Sequence, residues 1–359
     1  MNFFSKLFDR RNHKMSSSSP NDRPAIVSDS LGNNSVGTKS DWRTRPMYLM
    51  ALERFLDVRP AIGGIPDFWE KSLKESPTAL TKRLIEEGLL IPVELVRAVE
   101  FGSSSAELKA MAKERGLKLS GRKEELAKRL VEADPEGMAT LFKNKEFLTC
   151  STDARYEVEL FVSKRLAKAD QAAENVRAAL EEQDFLKAIE IAQRHKASEI
   201  TIDLPNTLAI HDSVNSVTMR AAELQRIYTV RPRILKDLAP EDWRPLATVV
   251  AMGSLLGRMP VTWLPATFKG IEKFEHAVSL RMFQFHLKYL DEIDRMRSSG
   301  VTKVTVSDCG AEGGSCPVCV KMAAKGKVRK LEEIPELPYE HCTCHLGCRC
   351  IVTAEVDMN

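Results

Sequence analysis

Aromatic residues are scarce in this chain, and it has neither a long hydrophobic run nor a large net charge. Phe, Trp and Tyr make up only 6% of the 359 residues, which favours a helical protein over a β-sandwich. No segment approaches about 18 consecutive apolar residues, so the sequence predicts no membrane-spanning helix and no membrane partner. The 53 basic and 50 acidic residues leave a net charge of +3, so any binding to nucleic acid must rely on a local patch.

The motifs of a known reaction are also lacking. The segments "AIGG" and "GSLLG" have no Gly-Lys-Ser/Thr ending, so neither is a phosphate-binding loop. His211, Asp212 and Ser213 contain the letters of a catalytic triad, but adjacent residues cannot adopt triad geometry along one chain. We therefore expect a protein that is not an enzyme.

The first residues, "MNFFSKLFDRRNHKM", contain an apolar run that is too short for the core of a signal peptide. We therefore expect a cytoplasmic protein. Residues 15–41 are rich in Ser, Asn, Asp and Gly, and they carry too few large apolar groups to offset the entropy of ordering the chain. The sequence predicts a disordered leader over residues 1–45.

Apolar residues with helical spacing dominate the middle of the chain. No glycine or proline occurs from Met138 to Leu204, and the apolar positions there predict two or three helices packed as hairpins. We expect a mainly α, multi-helical fold, with a helical module over 46–150 and a helical domain over 151–300. We expect residues 301–359 to form a small, zinc-stabilised α+β or all-β knob, since "VTKVTVSDC" alternates as a strand does.

Residues 104–136 have the pattern of two short helices joined by a tight turn. The first helix buries Leu108 and is closed by Gly116, after which Leu117 and Leu119 fold back onto its apolar face. Ser120 stands at an N-cap position for the second helix.

Such a turn leaves backbone amides pointing outward at a helix start, where anions bind. Nearby cations would meet a phosphate together with those amides, in a contact that depends little on base sequence. The alternative is a surface hairpin with solvated charges or a protein contact. The candidate DNA-binding residues are Lys118, Ser120, Gly121, Arg122, Lys123 and Lys128.

This segment closely resembles the SAP domain family, whose pattern is a helix with "ELK", then Gly-Leu, then "SGKKxEL" and a closing "RL". The matching elements are Glu107-Leu108-Lys109, Gly116-Leu117, the run from Ser120 to Leu126, and Arg129-Leu130. The resemblance implies a helical module that binds double-stranded DNA and favours AT-rich duplexes.

Seven of the eight cysteines lie between Cys309 and Cys350. In a reducing compartment such a cluster favours metal over disulfides, and Cys-x2-Cys on a tight turn presents two thiolates to one zinc ion. The predicted structural zinc ligands are Cys316, Cys319, Cys348 and Cys350. Further candidates are His341, Cys342, Cys344, His345 and Cys309.

The number of candidate ligands exceeds the number that one tetrahedral ion needs. Either some are spare, or two ions bind, or a disulfide forms as well, and redox use is a further alternative. A zinc hydrolase would need an open ligand position and a nearby general base, and the spacing shows neither.

The same stretch is similar to the C-terminal part of the phage head-morphogenesis family, the Mu F-type minor head proteins. The matching elements are Cys316, Cys319, Gly326, "IPELP" at 334–338 and "HLGCRC" at 345–350. The inserted His341, Cys342 and Cys344 depart from that pattern. The resemblance implies a virion-associated component with phage portal or capsid proteins as partners. Our leading interpretation is a non-enzymatic DNA-binding protein with a structural zinc; a phage head protein and a zinc hydrolase are the alternatives.

Overall fold

The chain is described by a computed structural model that covers residues 41–199, 217–308, 315–323 and 327–355. Within these ranges the fold is mainly helical, as predicted, with two small antiparallel sheets. Most of the predicted leader, the triad letters at 211–213, Cys309 and Gly326 lie outside the described residues. Among the described helices, none has both the length and the apolar character needed to cross a membrane.

The helices are numbered in chain order. They are α1 (Pro46–Glu53), α2 (Glu70–Leu73), α3 (Pro77–Glu86), α4 (Leu95–Gly102), α5 (Ser105–Glu114), α6 (Lys123–Ala133), α7 (Pro135–Phe142), α8 (Thr152–Glu181), α9 (Phe185–Ser198), α10 (Val217–Thr229), α11 (Pro240–Leu256), α12 (His276–Ser298) and α13 (Pro317–Met322).

The two sheets have three strands each. In the first, β3 (Phe147–Cys150) lies between β1 (Arg59–Pro60) and β2 (Leu90–Pro92). In the second, β4 (Lys303–Ser307) lies between β5 (Arg329–Lys330) and β6 (Ile351–Ala354). The alternation in "VTKVTVSDC" predicts β4, whereas the sequence pattern gave no sign of the first sheet, whose strands are only two to four residues long.

Helix α8 is 30 residues long and takes part in two hydrophobic cores. Near its start, Ala154 and Val158 are buried against α1, α3 and the first sheet. Near its end, Val176 and Leu180 are buried in a second core built with α9 to α12. One continuous helix therefore connects the N-terminal core to the central core.

The hairpin α5–α6 has a third core of its own. Its buried residues include Leu108, Leu126 and Leu130, and they pack with residues of α4 and α7 on either side. Gly102, at the end of α4, packs closely there, because a Cβ on it would come within 2.4 Å of the Phe142 ring and 3.0 Å of the Phe147 ring. The hairpin is therefore part of a compact four-helix module.

We expect Leu130→Ala to destabilise this four-helix module by about 2–5 kcal/mol, because it removes a fully buried side chain and leaves a cavity. Amide hydrogen exchange measures the effect, and it should accelerate in α4 to α7 far more than in α12. Leu141→Ala is the matched control: Leu141 lies in the same module but is 54% exposed, so its loss should cost less than about 0.5 kcal/mol. Equal effects of the two substitutions would contradict a separate core.

Candidate nucleic-acid interface and metal centre

Helix α5 begins with a capping box and is closed by Gly116, the residue that the sequence predicts to close it. The Ser104 hydroxyl accepts a hydrogen bond from the Glu107 N–H at 3.2 Å, and the Glu107 carboxylate accepts one from the Ser104 N–H at 2.5 Å. These reciprocal bonds satisfy two N–H groups that have no partner within the helix. At the other end Gly116 adopts a φ of 63°, and the Leu117 N–H bonds back to the Ala112 carbonyl at 2.8 Å.

The start of α6 differs from the prediction. We expected Ser120 at the N-cap, but Arg122 holds that position and Ser120 lies in the preceding turn. The reason is Gly121, whose φ of 128° lets the chain turn once more before the helix begins. The Glu125 carboxylate accepts a hydrogen bond from the Arg122 N–H at 3.2 Å, so one of the amides expected to face an anion already has a partner.

The candidate cations surround this turn. Lys118, Arg122 and Lys128 are exposed and Lys123 is half-buried. Lys128 lies 3.8 Å from Glu132, but both side chains are more than 60% exposed, so solvent screens the pair and it remains accessible to a phosphate.

Arg129, which was not among the predicted site residues, holds the turn in place. Its guanidinium donates hydrogen bonds to the carbonyls of Lys118 and Ser120, the latter at 3.3 Å. The sequence indicated Arg129 only as part of the closing Arg-Leu of the hairpin pattern, in which Leu130 is the buried residue. Leu119 is 41% exposed, although we expected it to pack beside Leu117.

The base of the hairpin is closed by an ion pair. Two nitrogens of the Arg115 guanidinium lie 2.8 and 3.0 Å from one carboxylate oxygen of Asp134. The other oxygen accepts a hydrogen bond from the Gly137 N–H at 2.9 Å, at the start of α7. Arg115 and the Gly137 amide together lower the pKa of Asp134, so these bonds are present at neutral pH.

At the other functional region, six cysteines lie together in the interior. Cys316 is the N-cap of α13 and Cys319 lies one turn further on, so both thiols face the same side. The remaining four come from the loop that precedes β6, which folds back through turns at Tyr339–Cys342 and Cys344–Gly347. All six are buried, and they belong to the central core rather than to a separate cluster. They are Cys316, Cys319, Cys342, Cys344, Cys348 and Cys350.

The sulfur atoms form two groups. Four thiols, those of Cys316, Cys319, Cys342 and Cys344, lie within 4.8 Å of one another, and so do the three of Cys319, Cys348 and Cys350. A tetrahedron of sulfurs at the usual zinc–sulfur bond length has edges of about 3.8 Å. The hydrogen-bonded sulfur pairs in this cluster are 3.5 to 3.9 Å apart, so the donor set fits a metal that thiolates bind.

Backbone N–H groups point at two of these sulfurs. The Thr343 N–H lies 3.4 Å from the Cys316 sulfur, and the Cys316 N–H lies 3.3 Å from the Cys344 sulfur. Burial by itself raises the pKa of Cys316, but hydrogen bonds from the backbone and side chains of Thr343 and Cys319 outweigh it and lower that pKa to about 6. The site therefore favours a thiolate at Cys316, which is the form that binds metal.

The structure groups the predicted ligands differently from the sequence pattern. Cys342 and Cys344, rather than Cys348 and Cys350, complete the four-thiol group with the CxxC turn. His341 and His345 are exposed and belong to neither group. The remaining described cysteine, Cys150, is buried in the N-terminal core, and burial raises its pKa to about 12.

A buried histidine anchors the segment that leads into the thiol loop. His286 on α12 is 4% exposed, and its Nδ1 lies 2.8 Å from the Leu337 carbonyl oxygen. Burial lowers the pKa of His286, so the neutral ring donates this hydrogen bond. The Cys348 N–H also contacts the Met282 sulfur on the same helix, at 3.3 Å. Helix α12 thus positions both ends of the loop that carries four of the thiols.

Comparison with protein families gives one finding for the hairpin. Residues 104–135 match the family model of the SAP domain, which confirms the resemblance predicted for 104–136. No match to the chain was found among curated proteins. The similarity of the C-terminal residues to head-morphogenesis proteins has no support from these comparisons and stays a prediction.

Proposed function

We propose that this chain is a non-enzymatic protein that binds double-stranded DNA through its SAP hairpin, with zinc held by the C-terminal cysteines as a structural ion. The observation that supports DNA binding most directly is the exposed basic turn within the matched segment. Lys118 and Arg122 extend from a turn whose backbone is held by Arg129, so the attachment points of these cations are set before any ligand arrives.

The basic turn can bind DNA although the chain as a whole is nearly neutral. Counterions released from DNA by a few cations supply affinity without a large net charge. The Glu125 carboxylate beside the Arg122 N–H limits how closely a phosphate approaches the helix start. The side chains of Lys118, Arg122 and Lys123 therefore carry the contact, with the backbone amides in a smaller role.

The chemistry of the donor set supports zinc in a structural role. All the clustered ligands are cysteines, and all are buried. Sites made only of thiolates are typical of structural zinc, whereas catalytic zinc keeps a position open to substrate.

The interpretation as a phage head protein rests on the sequence alone, and co-purification with procapsids would favour it.

We expect Arg122→Ala with Lys123→Ala to weaken binding to duplex DNA and to reduce the slope of log affinity against log salt by about 2, because each lost phosphate contact removes about 0.9 from that slope. Fluorescence anisotropy at several salt concentrations measures both quantities.

The matched control removes two exposed cations outside the hairpin, with Lys187→Ala and Arg194→Ala on α9. The control has the same net charge as the test variant, so it should keep the wild-type slope if binding is local. Equal losses in the two variants would show a non-specific charge effect, and an unchanged slope in the test variant would exclude the turn as the DNA-binding site.

Removing zinc with a chelator should loosen the C-terminal segment and leave DNA affinity within about two-fold of its starting value. The reason is that metal binding supplies folding free energy to the cysteine loop, whereas the hairpin has a separate core. Hydrogen exchange should accelerate in residues 315–355 and in α12, which packs on the loop. Added Zn²⁺ should restore protection, and a parallel loss of DNA binding would contradict the independence of the two regions.

A further inference from the structure

Cys319 is shared by the two groups of thiols. Its sulfur lies 3.5 Å from that of Cys342, 3.9 Å from that of Cys344 and 3.9 Å from that of Cys348. It is the one residue that belongs both to the four-thiol group and to the three-thiol group. The cluster is therefore centred on Cys319.

Cys342 has a similar intermediate position. Besides its contact with Cys319, its sulfur lies 3.9 Å from that of Cys316, and its thiol also interacts with that of Cys348. Cys342 therefore contacts members of both groups. The other four cysteines lie at the two sides of this central pair.

The number of ligands matches two ions. Two tetrahedral zinc ions take four ligands each, and six thiolates supply them when two of the six are shared. A single ion would leave two buried cysteines without a ligand role, while six thiolates around one ion would concentrate uncompensated negative charge in the core, which is costly. A second Zn²⁺ offsets two more of those negative charges.

We infer that the six cysteines hold a binuclear zinc–thiolate cluster in which Cys319 and Cys342 bridge the two ions. Cys316 and Cys344 complete the first ion, and Cys348 and Cys350 complete the second. This inference rests on the proposal that the thiols hold zinc. On binding, each thiol loses its proton to solvent and no electron is transferred, so the cluster forms without an oxidant.

Tyr339 is a buried polar group near the thiols assigned to the second ion, and it has no hydrogen-bond partner of its own among the described residues. Its side chain is 4% exposed, and its hydroxyl has no hydrogen-bond partner within the described part of the chain. The sulfurs of Cys350, Cys319 and Cys348 are among its electrostatic neighbours. A buried O–H without a partner is unfavourable, and no sulfur of a described residue lies within hydrogen-bond distance of it. Metal-bound thiolates are stronger acceptors than thiols, so a small movement of the loop on metal binding would give this hydroxyl a partner. Metal ligands commonly have such supporting hydrogen bonds.

The decisive measurement is the zinc content of the full-length protein, purified under reducing conditions and analysed by elemental mass spectrometry. We expect two zinc ions per chain. One ion per chain would overturn the binuclear cluster while leaving a structural zinc in place. No bound zinc, with all thiols free, would overturn both.

Replacement of zinc by ¹¹³Cd²⁺ tests the bridges directly. Two cadmium ions that share a thiolate should give two NMR resonances that are spin-coupled through the sulfur. Two uncoupled resonances would mean separate ions and would contradict the bridging role of Cys319 and Cys342. Because this measurement uses the unmodified chain, it does not depend on whether any variant folds.

Variants then assign ligands to each ion. Cys348→Ser should reduce the zinc content from two ions to one, because the second ion loses a ligand of its own. Cys150→Ser is the matched control, since Cys150 is buried in the N-terminal core and belongs to neither thiol group, and His345→Ala removes an exposed imidazole; both should keep two ions. Loss of an ion in either control would show that the six thiols are not the complete ligand set.

Tyr339→Phe should make transfer of zinc to a chelator about 10-fold faster, because it removes the hydroxyl that we expect to donate to a metal-bound thiolate. The metal-free form should be no less stable than the metal-free wild type, since its hydroxyl has no partner there. Chromogenic chelators report the transfer rate, and thermal unfolding of the metal-free proteins provides the control. Unchanged transfer would exclude this hydrogen bond.

Discussion

The apolar stripe along α8 is the constraint on which the arrangement of the described chain depends. Ala154 and Val158 at one end are buried in the N-terminal core, and Val176 and Leu180 at the other end are buried in the central core. Because α8 is one continuous helix, moving either core away from it would expose the residues buried at the corresponding end of the helix. An ion pair between Arg165 and Glu53, at 2.7 Å, further ties the helix to α1.

The two candidate functional regions belong to different cores. The SAP hairpin has its own buried leucines and joins the N-terminal part through the first sheet and the close packing at Gly102. The cysteine cluster lies in the central core, against α12. The hairpin that matches the SAP domain and the cysteine cluster are therefore supported by separate cores, so the two proposed functions can be tested independently.

Local signals in the sequence predicted the helix ends well wherever one residue decides the geometry. Gly116 follows α5 with a φ of 63°, as its residue type indicates. The same reasoning failed at Ser120, because Gly121 and Glu125 move the start of α6 to Lys123. Ser120 and Arg122 were the two possible N-cap positions, and the hydrogen bond from the Arg122 N–H to the Glu125 carboxylate favours Arg122. Strand β3 was missed because only its pairing with β1 and β2 stabilises it.

Some properties of the cysteine cluster are determined by the sequence alone, and others only by the tertiary structure. The sequence by itself determined that a thiol-rich site exists near the C-terminus and that an SAP hairpin lies at 104–135, since both follow from residue type and spacing over short distances. Which thiols share a group depended on the folding of the loop onto α12, where the His286 contact with Leu337 and two tight turns set the positions of the sulfurs. Spacing alone favoured Cys348 and Cys350 as partners of the CxxC turn. The fold instead places Cys342 and Cys344 beside that turn, with Cys319 at the centre of all six thiols. The prediction failed because sulfur positions depend on long-range packing.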